Sequence, residues 1–135
     1  MKKVLLALLA SAPLALAAPA AAEHRESAKG EAQLARILEG RVAGEPQDCI
    51  DLARIRGSRI VGGTAIVYDA GRTLWVNRPR GGAEMLDRDD VMVTRPFGSR
   101  LCSIDRVDLV DAGVRFPTGF VSLGEFVPYR KAGTE

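Results

Sequence analysis

The chain has 135 residues, and its 19 Lys and Arg stand against 17 Asp and Glu, for a net charge of +2. So near a balance argues against nucleic acid or anionic lipid as a partner, because phosphate binding needs a surplus of Lys and Arg on one face, and it implies a mixed, solvated surface instead. Two cysteines and one histidine cannot close a zinc site, and a chain of this length makes one domain that buries roughly two-thirds of its unfolded surface.

Lys2 and Lys3 open the chain, an apolar run from Val4 to Leu9 continues through Leu14 and Leu16, and Ala20, Ala21 and Ala22 supply small residues. This pattern predicts a secretory signal peptide over residues 1–22, cleaved after Ala22, with Glu23 as the first mature residue. The run is too short for an ordinary membrane span, and Pro13 and Pro19 interrupt it. The expectation is therefore a periplasmic protein with no integral membrane segment in its mature part. Lys2 and Lys3 leave with the leader, so the mature chain carries 17 charges of each sign. No cysteine adjoins the cleavage point, which leaves a diacylglyceryl anchor nowhere to attach.

Residues 23–46 read as a polar, mobile start followed by a short helix. Leu34, Ile37, Leu38 and Val42 follow helical spacing, and Gly40 is a stop, which predicts a helix from about Ala28 to Glu39. Gly44, Glu45 and Pro46 mark a break. From residue 47 to 131 the pattern is one of short β-rich runs between turn residues. The runs are Cys49 to Ile55, Ser58 to Val61, Thr64 to Tyr68, Thr73 to Asn77, Val91 to Thr94, Arg100 to Val110, Phe120 to Leu123 and Glu125 to Val127. Gly62 and Gly63 predict a tight two-residue hairpin, and Asp69 to Arg72 a second turn. In the longest run the apolar positions change phase, which predicts a bulge near Asp105 and Arg106. Gly124 reads as a bend or a point of close approach. Residues 132–135 form a loose tail. The predicted fold is mainly all-β: a small antiparallel barrel or rolled sheet of six to seven short strands with one N-terminal helix.

Cys49 and Cys102 are the only cysteines, and an even count in an exported chain reads as a disulfide. It would tie the first strand to the long one, and closing so long a loop is worth roughly 4 kcal/mol in the chain-entropy model.

The motifs Gly40 to Pro46 leading into Cys49 and Ile50, then Trp75 to Arg78, Leu101 to Ser103, and Leu123 to Tyr129 carry a family likeness. In their order and spacing the chain resembles a family of small exported proteobacterial proteins classed as a domain of unknown function, over about residues 40 to 131. The resemblance implies a cysteine pair and an envelope address, and it implies no activity.

Few residue sets invite chemistry. His24, second in the predicted mature chain, could hold copper together with the amino terminus. Ser122 lies in a stretch like a nucleophile elbow, but Phe120 stands where that motif needs glycine. Asp87, Asp89 and Asp90 do not match a calcium loop and read as a solvated turn. Asp105, Asp108, Asp111 and Glu125 could supply a carboxylate pair of the glycosidase kind. Trp75 and Tyr129 could line a ligand groove with Arg78 and Arg95. The reading that follows is a non-enzymatic binding or accessory domain of the cell envelope, partnered by an envelope protein or a small ligand. It has no cofactor, no nucleic-acid partner and no catalytic residue. The alternatives are a small hydrolase using some of Asp105, Asp108 and Glu125, and a copper-binding protein using His24.

Overall fold

The structure, a computed structural model, describes residues 19–133. Most of the predicted leader lies outside the described residues. Helix α1 runs Pro19–Ile37, so it begins before the expected Ala28 and includes the last four positions of the predicted leader. Pro19 suits a first helical position, where its missing N–H is no loss. Gly40 takes a left-handed φ of 73° just past the helix and ends it where expected.

Ten strands follow: β1 (Arg41–Ala43), β2 (Cys49–Asp51), β3 (Gly57–Val61), β4 (Ala65–Asp69), β5 (Thr73–Asn77), β6 (Asp90–Thr94), β7 (Arg100–Cys102), β8 (Arg106–Asp111), β9 (Pro117–Ser122) and β10 (Phe126–Lys131). All pairings are antiparallel. They make a five-stranded sheet in the order β1-β10-β5-β4-β3, a two-stranded sheet β2-β7 and a three-stranded sheet β6-β8-β9. The fold is mainly β, as expected, but the sheets do not close into a barrel.

The five-stranded sheet is the central layer, and the two-residue period of its strands sorts side chains to two faces. One face presents Val61, Ala65, Val67, Leu74 and Val76 to Leu34 of α1, with Ile37, Leu38 and Tyr129 at the margin. The helix therefore docks on its own domain. Gly30 sits at the crossing: a Cβ there would stand 1.9 Å from Thr64 Oγ1 and 2.6 Å from the Gly62 carbonyl oxygen. The opposite face presents Ile60, Ile66, Tyr68, Trp75 and Phe126 to Ile50, Leu101, Val107, Leu109 and Val121 of the two smaller sheets and to Leu123 just after β9. Asn77, fully buried, gives its amide Nδ2 to the Gly124 carbonyl (2.7 Å) and accepts from the Gly124 N–H (3.0 Å). Gly124 is indeed a close-approach point, since a Cβ there would lie 2.3 Å from the Arg78 carbonyl oxygen.

Several local expectations are corrected. The run from Arg100 to Val110 is two strands in different sheets. Asp105 turns its carboxylate back to accept the Cys102 N–H (2.7 Å), and the chain leaves the first ladder there. The only register shift in β8 lies between Leu109 and Val110. Cys49 to Ile55 is cut short after Asp51, whose carboxylate caps a 3-10 turn at Leu52–Arg54. The β3–β4 turn uses three residues, 62–64, with Val61 paired to Ala65 and only Gly63 at positive φ (62°). Strand β1, mostly exposed and unpredicted, exists by adding its backbone to β10.

Candidate functional site

Cys49 and Cys102 form the expected disulfide. They stand directly opposite each other in the β2–β7 ladder, with Cα atoms 4.0 Å apart. Antiparallel ladders bring side chains closest at the pairs that do not exchange backbone hydrogen bonds, and such a pair suits a cystine.

The proposed groove of Trp75, Arg78, Arg95 and Tyr129 is not assembled. Tyr129 pairs with Leu74 and Pro128 with Trp75, so Trp75 and Tyr129 face opposite sides of one sheet. Arg78 lies on the helix side, where its guanidinium makes a two-point bond to the Glu31 carboxylate of α1. That bond holds the Glu31 carboxyl below the usual carboxylate range. Its small stabilisation is present at neutral pH and is lost as pH falls through the lowered value; half-exposed pairs of this kind contribute under about 1 kcal/mol. Arg95 sits elsewhere, in a hollow on the outer face of the three-stranded sheet beside Arg106 and Phe120. There the Arg106 guanidinium lies 4.6 Å from the Phe120 ring centre.

The carboxylates have local partners. Asp105 serves the Cys102 N–H, Asp108 pairs with Arg106 at 2.8 Å, and Asp111 accepts from the N–H groups of Gly113 and Val114. Glu125 is exposed. Asp105, Asp108 and Glu125 share no hydrogen bond or ion pair among the described residues. His24 is exposed on α1, and no group of three metal-ligating side chains occurs among the described residues.

A different site emerges at one end of the central sheet. Arg41 of β1, Arg56 before β3, Arg72 in the β4–β5 turn, and Arg130 and Lys131 of β10 surround a hollow of about 880 Å³. Among the described residues its one acidic lining residue is Asp69, whose carboxylate accepts the Gly71 N–H at 2.7 Å. Arg41 is braced: its Nη1 donates to the carbonyls of Arg72 (3.1 Å) and Tyr129 (3.3 Å). Arg130 Nε donates to Thr73 Oγ1 at 3.1 Å. The Arg56 guanidinium lies across Gly71, so close that a Cβ there would be 3.2 Å from its Cζ. Gly71 has a φ of 81°, which the turn requires. Arg41, Arg56, Arg72 and Arg130 have no carboxylate partner among the described residues.

Thr73 and Arg130 also line a second hollow of about 360 Å³, so the two adjoin. The second adds Arg54, Arg100, Asp51, Gln47 and Trp75. Among the described residues the two hollows are lined by seven basic and two acidic side chains, of which Arg54 and Asp51 pair with each other at 3.8 Å. The mixed surface expected from the overall charge is replaced by a segregated one. Braced, unpaired guanidiniums in a concave site are built to receive an anion, since each offers several N–H donors in a fixed plane.

Sequence reading missed this site because its cations come from five separate segments. The legible trace is modest: Arg54, Arg56 and Arg72 flank short β runs, and Arg130 and Lys131 end one. Trp75 lines a hollow whose basic members are Arg54, Arg100 and Arg130, not Arg78 and Arg95. Compared with models of known families, with curated proteins and with solved structures, the chain has no match.

Proposed function

We propose that this chain is a non-enzymatic binding domain of the cell envelope, exported by its N-terminal leader, that holds an anionic ligand in the arginine-lined groove. The observation that carries this reading is the surplus of basic over acidic residues in one concave site, four of whose arginines have no carboxylate partner among the described residues. The Cys49–Cys102 bridge is compatible with an oxidising compartment.

Calorimetric titration with inorganic polyphosphate tests the binding. Saturable binding that weakens as salt rises is expected, because salt competes for the same guanidiniums. Replacing both Arg56 and Arg130 by Gln, at exposed positions, should weaken it by about ten-fold or more. No binding at low salt, or binding that the double variant leaves unchanged, would end the proposal. Export is tested separately, by N-terminal sequencing of protein recovered from its host. A chain beginning at Glu23 agrees, and one beginning at Met1 does not.

A further inference from the structure

The groove is graded along its length. Its wide end is almost purely cationic, whereas its narrow end combines the half-buried ring of Trp75 with the Gln47 amide, the Thr73 hydroxyl and the Asp51 carboxylate. Arg130 and Thr73 sit at the junction and belong to both ends. Trp75, Thr73 and Arg130 lie on one face of the central sheet, because Arg130 pairs with Thr73 and Pro128 with Trp75.

From this gradient we infer that the occupant is an acidic saccharide, whose sugar ring lies on Trp75 and whose phosphate, sulfate or carboxylate group sits among Arg41, Arg56, Arg72 and Arg130. This rests on the anion-binding reading above and narrows its ligand class. The negative face of an indole attracts the polarised C–H groups on one side of a sugar ring. An amide, a hydroxyl and a carboxylate beside that ring are acceptors and donors for sugar hydroxyls. Asp51 is partly engaged by its own turn, since its Oδ1 accepts the Ala53 N–H at 3.0 Å and its Oδ2 faces the Arg54 Nε at 3.8 Å. The choice of class rests on the aromatic lining. Strands of nucleic acid are held by successive stacked bases, which needs several aromatic rings. Trp75 is the sole aromatic side chain lining either hollow.

Trp75 is the only tryptophan of the chain, so indole fluorescence reports on this position alone. The test titrates the whole protein with dextran sulfate, neutral dextran, polyphosphate and an oligothymidylate. Expected are saturable binding of dextran sulfate with a change in indole emission, weaker binding of polyphosphate with little change, and no binding of neutral dextran. Trp75→Leu, which keeps an apolar side chain against the core, should weaken dextran sulfate roughly ten-fold and leave polyphosphate unchanged. Trp75→Phe should retain most of the affinity. A melting curve for each variant separates lost binding from lost folding. If polyphosphate binds as tightly as dextran sulfate and Trp75→Leu affects both alike, the saccharide inference fails while the anion site stands. If oligothymidylate binds tighter than dextran sulfate, the class is wrong. If none of the anions binds, the anion reading itself has failed.

Discussion

Two residues carry structural costs that chemistry can expose. The Tyr68 hydroxyl is buried without a hydrogen-bond partner, its ring packed edge-on against Phe126 with centroids 5.8 Å apart. Burial also pushes its ionisation well above the ordinary value of about 10. A buried hydroxyl that pairs with nothing loses its hydration and gains no bond. Tyr68→Phe is therefore expected to leave stability unchanged or raise it by up to about 1 kcal/mol, read from urea midpoints. The sign of the pH effect follows. The folded value is raised, so stability is full below about pH 10 and falls as pH climbs toward the folded value, where only the unfolded chain ionises. Tyr68→Phe should flatten that alkaline loss, and an unchanged alkaline slope would show that Tyr68 is not its source. Gly30 presents the opposite case. In an open helix Ala is favoured over Gly by about 1 kcal/mol. Here the added Cβ would meet the Thr64 hydroxyl and the Gly62 carbonyl, and backbone yields little. Gly30→Ala should destabilise by roughly 1–3 kcal/mol, seen as a lower thermal midpoint. A stabilised variant would mean that α1 does not seat on the β3–β4 turn.

Among the elements, the two-stranded sheet is the one that most needs a covalent tie. β2 and β7 share three residue pairs, one of them the cystine, and a two-stranded ribbon is marginal in water. Its apolar contribution is one residue from each strand, Ile50 and Leu101. Replacing both Cys49 and Cys102 by Ala should cost about 2–4 kcal/mol in urea unfolding. In hydrogen exchange the loss should appear first in residues 48–52 and 99–103, before the central strands. Uniform loss of protection over the molecule would place the cystine in the main folding unit instead. The split between β7 and β8 shows why element boundaries were hard to see. The change of phase near Asp105 reads as a bulge within one strand, but the Asp105 side chain bonds locally, and that option competes with any ladder. The strands on the central sheet were easier, because Thr73–Asn77 and Gly57–Val61 are bounded by turn residues and contribute to two apolar faces.

At the scale of the molecule, charge is the quantity that folding rearranges. Arg41, Arg56, Arg72 and Arg130 around one hollow repel one another, and added sodium chloride screens that repulsion. The free protein should therefore melt at a higher temperature as salt rises, and Arg56→Gln with Arg130→Gln should weaken that response. A response identical in the variant would locate the effect elsewhere. Residue type and local order determined a great deal by themselves: a leader-like start, a β-rich body, a helix ended at Gly40, a hairpin at Gly63, and a cysteine pair. These follow from interactions within a few residues, or from two sulfurs that have only each other. Tertiary structure alone decided which strands share a sheet, that Trp75 and Tyr129 part to opposite faces, and that arginines from five segments meet. Register and strand order set those relations, and both depend on how separate apolar faces are buried together, a property that neighbouring residues do not encode.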